Sequence, residues 1–136
     1  VALYLLDTSA LLCLRDDEAG AARVAELLQA GASGKPECRG CFITLMEIYY
    51  RVWKDESKAA GYKAYNQALQ LPIQWIHESP TLLERAASVK AMYPVPLADA
   101  WIAAAALESS AVLVHKDPEF RAVQGLEQEI LPLKEV

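Results

Sequence analysis

The chain has 136 residues, 54% apolar and 23% charged, which suits one domain over 1–136 with a real core and excludes a disordered segment. No apolar stretch reaches the roughly 18 residues of a membrane span. The start carries no basic region or small-residue cleavage site, so a cytoplasmic location without membrane contact is expected. The net charge of −5 speaks against binding nucleic acid through bulk positive charge, though not against an acidic metal site served by a few local basic residues.

Residues 2–6 read as a short buried strand that halts at Asp7. A helix follows from Ser9 to Leu14 and another from Glu18 to Ala30, with Ala22, Val24, Leu27 and Leu28 supplying its apolar surface. Gly31 to Pro36 (GASGKP) is a loop broken by glycine and proline. Residues 41–43 (CFI) form a second strand and residues 45–54 a helix. Ser57 to Leu71 is helical, with Tyr62, Tyr65, Ala68 and Leu69 at helical spacing. Residues 73–76 (IQWI) make a third strand ended by a turn at Ser79-Pro80, and residues 81–92 a helix broken by Pro94 and Pro96. Residues 98–108 are apolar nearly all round, which predicts a buried helix. Residues 111–114 (AVLV) give a fourth strand and 129–131 a fifth. Short apolar strands alternating with helices predict a parallel sheet covered on both faces, with ligands gathering beyond the carboxyl ends of the strands.

The three cysteines are Cys13, Cys38 and Cys41. Cys38 and Cys41 have the spacing of half a zinc site, but no second pair exists and His77 and His115 are poor substitutes, so no structural zinc is expected.

Four acids each have an ordinary structural role. Asp7 and Asp117-Pro118 suit helix N-caps, Thr44 and Glu47 fit a capping box, and Asp99 lies in the first turn of the buried helix. Their joint placement says more. Asp7, Glu47 and Asp117 each follow a predicted strand, so a parallel sheet delivers them to one edge, and Asp99 begins the helix leading to the last of those strands. Carboxylates so crowded repel one another, and a hard divalent cation such as Mg²⁺ or Mn²⁺ offsets that repulsion.

The segments LLDTSALL, ITLMEIYYR, PVPLADAWIAAAAL and AVLVHKDPEF resemble the PIN domains, and among them the small VapC-like toxins of bacterial toxin–antitoxin pairs. The resemblance runs along essentially the whole chain. It implies a three-layer α/β/α fold around a central parallel sheet of four to five strands. It also implies a Mg²⁺- or Mn²⁺-dependent endoribonuclease whose catalytic and metal-binding acids are Asp7, Glu47, Asp99 and Asp117. Asp7 and Asp99 are then the foremost ligands, and Ser9 matches a position whose hydroxyl supports the site. An antitoxin partner, an RNA substrate and a homodimer are implied as well.

The chain departs from that pattern at one place. The family's usual Ser or Thr two residues before the last aspartate is His115 here, an imidazole able to hydrogen-bond the carboxylates, to ligate Mn²⁺, or to stay outside the ligand set. Arg15, Arg51, Lys116 and Arg121 lie near the acids along the chain and are candidate phosphate contacts. Tyr49, Tyr50, Val52 and Trp53, with Tyr62 and Tyr65, could line a groove for a partner helix or add to the core. A haloacid-type phosphatase would need an acid where Ser9 stands. A receiver domain would need an acidic pair earlier than Asp16 and Asp17. The alternative that survives is a PIN-like fold kept as an RNA- or protein-binding module without activity.

Overall fold

A computed structural model describes residues 3–33 and 37–133 of the chain. Its strands are β1 (Tyr4–Leu6), β2 (Cys38–Cys41), β3 (Gln74–Ile76), β4 (Val112–His115) and β5 (Gln128–Ile130). They pair in parallel throughout, in the order β3-β2-β1-β4-β5. The helices are α1 (Thr8–Arg15), α2 (Ala21–Gly31), α3 (Phe42–Asp55), α4 (Lys58–Gln70), α5 (Pro80–Met92) and α6 (Leu97–Ser109), and a short 3₁₀ turn covers Pro118–Ala122. This is the three-layer α/β/α arrangement expected. No helix of the described residues is long and apolar enough to cross a membrane.

The sheet separates two apolar cores, because successive side chains of a strand point to opposite faces. Leu5 and Leu113 face α5 and α6, where Ile102 and Ala103–Ala106 are buried. Leu6 and Val114 face α1 to α4, meeting Leu11, Val24, Ile48, Val52 and Ala64. Helix α6 is buried along most of its length, as its apolar surroundings predict.

Several boundaries differ from the sequence reading. β2 begins at Cys38 rather than residue 41, so α3 starts at Phe42 rather than 45. Arg39 and Gly40 disguise the strand. Gly40 is required there because a Cβ would come within 2.5 Å of the Trp75 ring on β3. Thr44 therefore lies inside α3 and the N-cap is Cys41, so the expected Thr44–Glu47 capping box does not form. Ser79 and Pro80 start α5 instead of ending β3 with a free turn: the Ser79 side chain accepts the Leu82 N–H. The second helix begins at Ala21, after Gly20 in the left-handed region, and runs to Gly31. Residue 2 of the expected first strand and residues 34–36 of the expected loop lie outside the described residues.

Helices α3 and α4 approach closely at Gly61, where a Cβ would sit 2.6 Å from the Tyr49 carbonyl oxygen. The CxxC thiols stand three residues apart on one strand, so Cys38 belongs to one core and Cys41 to the other, and the pair cannot close on one ion. Burial pushes both thiols up to about 11.

Candidate functional site

The sheet edge where β1, β2 and β4 end is where the acids collect. Asp7 leaves β1 and caps α1; its Oδ1 accepts the Ala10 N–H at 2.8 Å. It is only 3% exposed. The Ser9 hydroxyl donates to this carboxylate, at 2.7 Å from Oδ1 and 2.9 Å from Oδ2, and accepts the Lys116 N–H at 2.9 Å. One hydroxyl thus ties the exit of β1 to the exit of β4. Burial pushes Asp7 up to about 7, against the lowering pull of Ser9 and Ala10, and the negative charges of Asp117 and Glu47 add to the rise.

Glu47 is one turn further into α3 than Thr44, so the two share a helix face. That shared face, rather than a cap, explains their spacing. The Thr8 hydroxyl donates to Glu47 Oε1 at 2.6 Å and lies 3.1 Å from the buried Thr44 hydroxyl. Thr8 thereby fastens Glu47 beside Asp7, a role the sequence reading missed.

Asp99 occupies the first turn of α6, as expected. Burial, then a hydrogen bond to Asp117, then the charges of Asp117, Asp7 and Glu47 push it up to about 8. Burial and the neighbouring charges thus favour the protonated form of Asp99. Asp117 caps the 3₁₀ turn, its Oδ1 accepting the Glu119 N–H at 3.0 Å. One carboxylate oxygen from each of Asp99, Asp117 and Glu119 lies within 4.8 Å of the others. Glu119 was absent from the sequence reading; the available signal was its place two residues after the capping Asp117, where the turn folds it back. Asp7 and Glu47 border this trio as charges felt by Asp99 but do not join the 4.8 Å set.

The donor set suits a hard divalent cation. All its atoms are carboxylate oxygens, and Asp99 within it and Asp7 at its border are buried, both held above the ordinary range by that burial and by the neighbouring negative charges.

His115 gives no nitrogen to that set. Its ring is fully buried, Nδ1 accepts the Asp117 N–H at 2.9 Å, and Nε2 pairs with Gln128 Oε1 at 2.8 Å. Neither nitrogen is left for a metal or a carboxylate, and burial lowers its pKa below the ordinary histidine value.

The candidate phosphate contacts divide. Arg15 is committed to a two-pronged pair with Glu56, at 2.8 and 3.1 Å, and to Asp16. Lys116 points under the α1–α2 connection, donating to the Ala19 carbonyl at 2.9 Å and lying 3.5 Å from Glu18. Neither is free for a phosphate. Arg51 and Arg121 are exposed.

Of the aromatic set, Val52 is buried in the core beneath α3 and does not line the aromatic groove. Tyr49 packs on Trp53, Tyr62 and Tyr65 with ring centroids 5.4 to 6.1 Å apart. Met46 (53%), Tyr50 (44%) and Trp53 (46%) stay exposed, beside a surface groove of about 560 Å³ lined by Phe42, Leu45, Tyr65 and His77 as well.

A parallel sheet between helical layers, with carboxylates gathered where its strands end, is the architecture of the PIN domain. The PIN domain family model matches residues 4–126, and the chain belongs to that family. Solved structures share the fold. A chain of the VapBC2 structure from Rickettsia felis, bound to a DNA fragment from its promoter, is 18% identical with a TM-score of 0.76, covering 96% of this chain and 99% of that one. VapC20 of Mycobacterium tuberculosis, described as a sarcin-ricin loop cleaving toxin, is 19% identical with a TM-score of 0.71, covering 95% and 99%. PAE2754 of Pyrobaculum aerophilum is 24% identical with a TM-score of 0.67, covering 93% and 90%. A comparison with curated protein sequences returns no match.

Proposed function

We propose that this chain is a Mg²⁺- or Mn²⁺-dependent endoribonuclease acting as the toxin of a VapC-like toxin–antitoxin pair. One observation carries the reading: carboxylate oxygens of Asp99, Asp117 and Glu119 lie within 4.8 Å of one another beside a buried Asp7, a crowding of carboxyl groups that helix caps do not need and a cation relieves. Asp7 and Asp99 would hold the ion foremost, with Glu47 and Asp117 completing the set. A divalent ion at such a site supplies a more acidic water and offsets charge developing on a phosphoryl oxygen.

The chain's own groups orient and bind. Ser9 fixes the rotamer of Asp7, and Thr8 fixes Glu47. Arg51 and Arg121 are the basic residues left to meet RNA phosphates, the other two candidates being engaged elsewhere. Hydrolysis by in-line attack of water would leave a 5′-phosphate and a 3′-hydroxyl. The exposed aromatic groove beside α3 suits an amphipathic antitoxin helix, which fits the toxin–antitoxin complexes among the structural neighbours. A homodimer and action in the cytoplasm belong to the same reading. Nothing observed favours the inactive-module alternative, since the histidine that suggested it spends both ring nitrogens away from the acids.

The test is cleavage of total RNA by the purified chain with Mg²⁺ or Mn²⁺, against EDTA and against Asp7→Asn. Cutting that needs the ion and is lost in the variant is expected. Metal-independent cutting, or full activity of the variant, overturns the assignment.

A further inference from the structure

The buried imidazole of His115 closes a ring of contacts around the acid-bearing turn. An N–H points at Nδ1, so that nitrogen must offer its lone pair; the proton then sits on Nε2 and is donated to Gln128 Oε1 at 2.8 Å. Gln128, the first residue of β5, turns its amide N–H back to the Phe120 carbonyl at 3.0 Å. The Phe120 ring packs against the imidazole with centroids 4.8 Å apart. The circuit runs from the end of β4 through Asp117, Glu119 and Phe120 to β5 and back.

That turn needs outside support. It is a five-residue 3₁₀ segment, a conformation with poor hydrogen-bond geometry of its own. It carries Asp117 and Glu119 to within 4.8 Å of Asp99, where ionised carboxylates push apart. A serine or threonine at position 115 could accept the Asp117 N–H, but a single oxygen does not also span the ring's width to Gln128.

We propose that His115 and Gln128 are positioning residues: together they brace the Asp117–Phe120 turn and so set how tightly the carboxylate pocket holds its divalent ion. The proposal rests on the reading of that pocket as a metal site. Neither residue touches the ion or the RNA. The neutral imidazole acts as a rigid spacer between a backbone donor and a side-chain amide.

The experiment compares the unaltered chain with His115→Asn, which keeps an acceptor for the Asp117 N–H but cannot reach Gln128, and with Gln128→Leu, which leaves the pocket untouched and cuts the brace. Mn²⁺ affinity is measured by calorimetry without RNA, alongside kcat at saturating Mn²⁺ and the thermal midpoint of the metal-free protein. The expected result is a dissociation constant for Mn²⁺ weaker by about tenfold or more in both variants, with kcat at saturation within about threefold. A purely structural role would lower the thermal midpoint and leave the affinity of the folded protein alone. Unchanged Mn²⁺ affinity in either folded variant overturns the brace. Absence of calorimetric binding by the unaltered chain overturns brace and metal site together. Binding without RNA cleavage overturns the nuclease reading alone and leaves the brace to stand on the calorimetry.

Discussion

The two halves of the acidic pocket are built by different means. On one side Asp7 and Glu47 are pinned by a backbone N–H and by the hydroxyls of Ser9 and Thr8, groups that fix a carboxylate whether or not a cation is present. On the other side Asp99, Asp117 and Glu119 crowd one another within 4.8 Å, and burial with the neighbouring charges favours the protonated form of Asp99. The first half is organised in advance. The second grows costlier as its carboxyl groups ionise, because nothing but their mutual spacing eases the repulsion.

Removing a member of the second half should have the largest effect. Asp99→Asn is expected to lower metal-dependent RNA cleavage by at least about 100-fold while raising the thermal midpoint of the metal-free protein at pH 8, because a neutral amide replaces a buried, partly ionised acid. A lowered midpoint there would contradict the comparison.

The pH dependence follows in size. Asp7 and Asp99 have folded values of about 7 and about 8, both above the ordinary 3.8. In that interval the folded chain holds protons the unfolded chain has released, so these groups stabilise the fold fully below the ordinary value and lose that contribution as pH rises through 7 and 8. His115, with its lowered value, acts in the opposite direction as pH falls through the ordinary histidine range. Two carboxyl groups, each linked to stability by up to about 1.4 kcal/mol per pH unit, outweigh one imidazole. In EDTA the thermal midpoint should fall from pH 5 to pH 8, and Mn²⁺ should restore more of it at pH 8. A midpoint that climbs over that range sinks the account.

Disturbing the first half should do less. Thr8→Val removes the donor to Glu47 and is expected to cost about 1 kcal/mol of stability and roughly tenfold in cleavage, read by denaturant unfolding and by initial rates. Smallest of all is the contrast between basic residues. Arg121→Ala should raise the KM for RNA by about two- to fivefold at low salt, and Lys116→Met should leave it unchanged, since that ammonium serves the Ala19 carbonyl.

What the sequence made legible was whatever repeats at short range. The alternation of apolar strands and helices, the buried α6 and the caps at Asp7 and Asp117 follow from local patterns, and the structure bears them out. The start of β2 escaped because the strand has only four residues, two of them Arg39 and Gly40, and the glycine answers to Trp75 thirty-five positions away. The pairing of His115 with Gln128 escaped for the same reason: it joins two strands across a turn. The direction of Lys116, by contrast, was readable. Strand alternation sends it to the face opposite His115, away from the Asp99 side.

β1 is three residues long, yet Leu5 and Leu6 wall off opposite interiors and both are completely excluded from solvent. Such a partition cannot peel from one compartment without flooding the other. The backbone amides of this strand should therefore be among the last in the protein to trade hydrogen for deuterium, opening only when the whole fold opens.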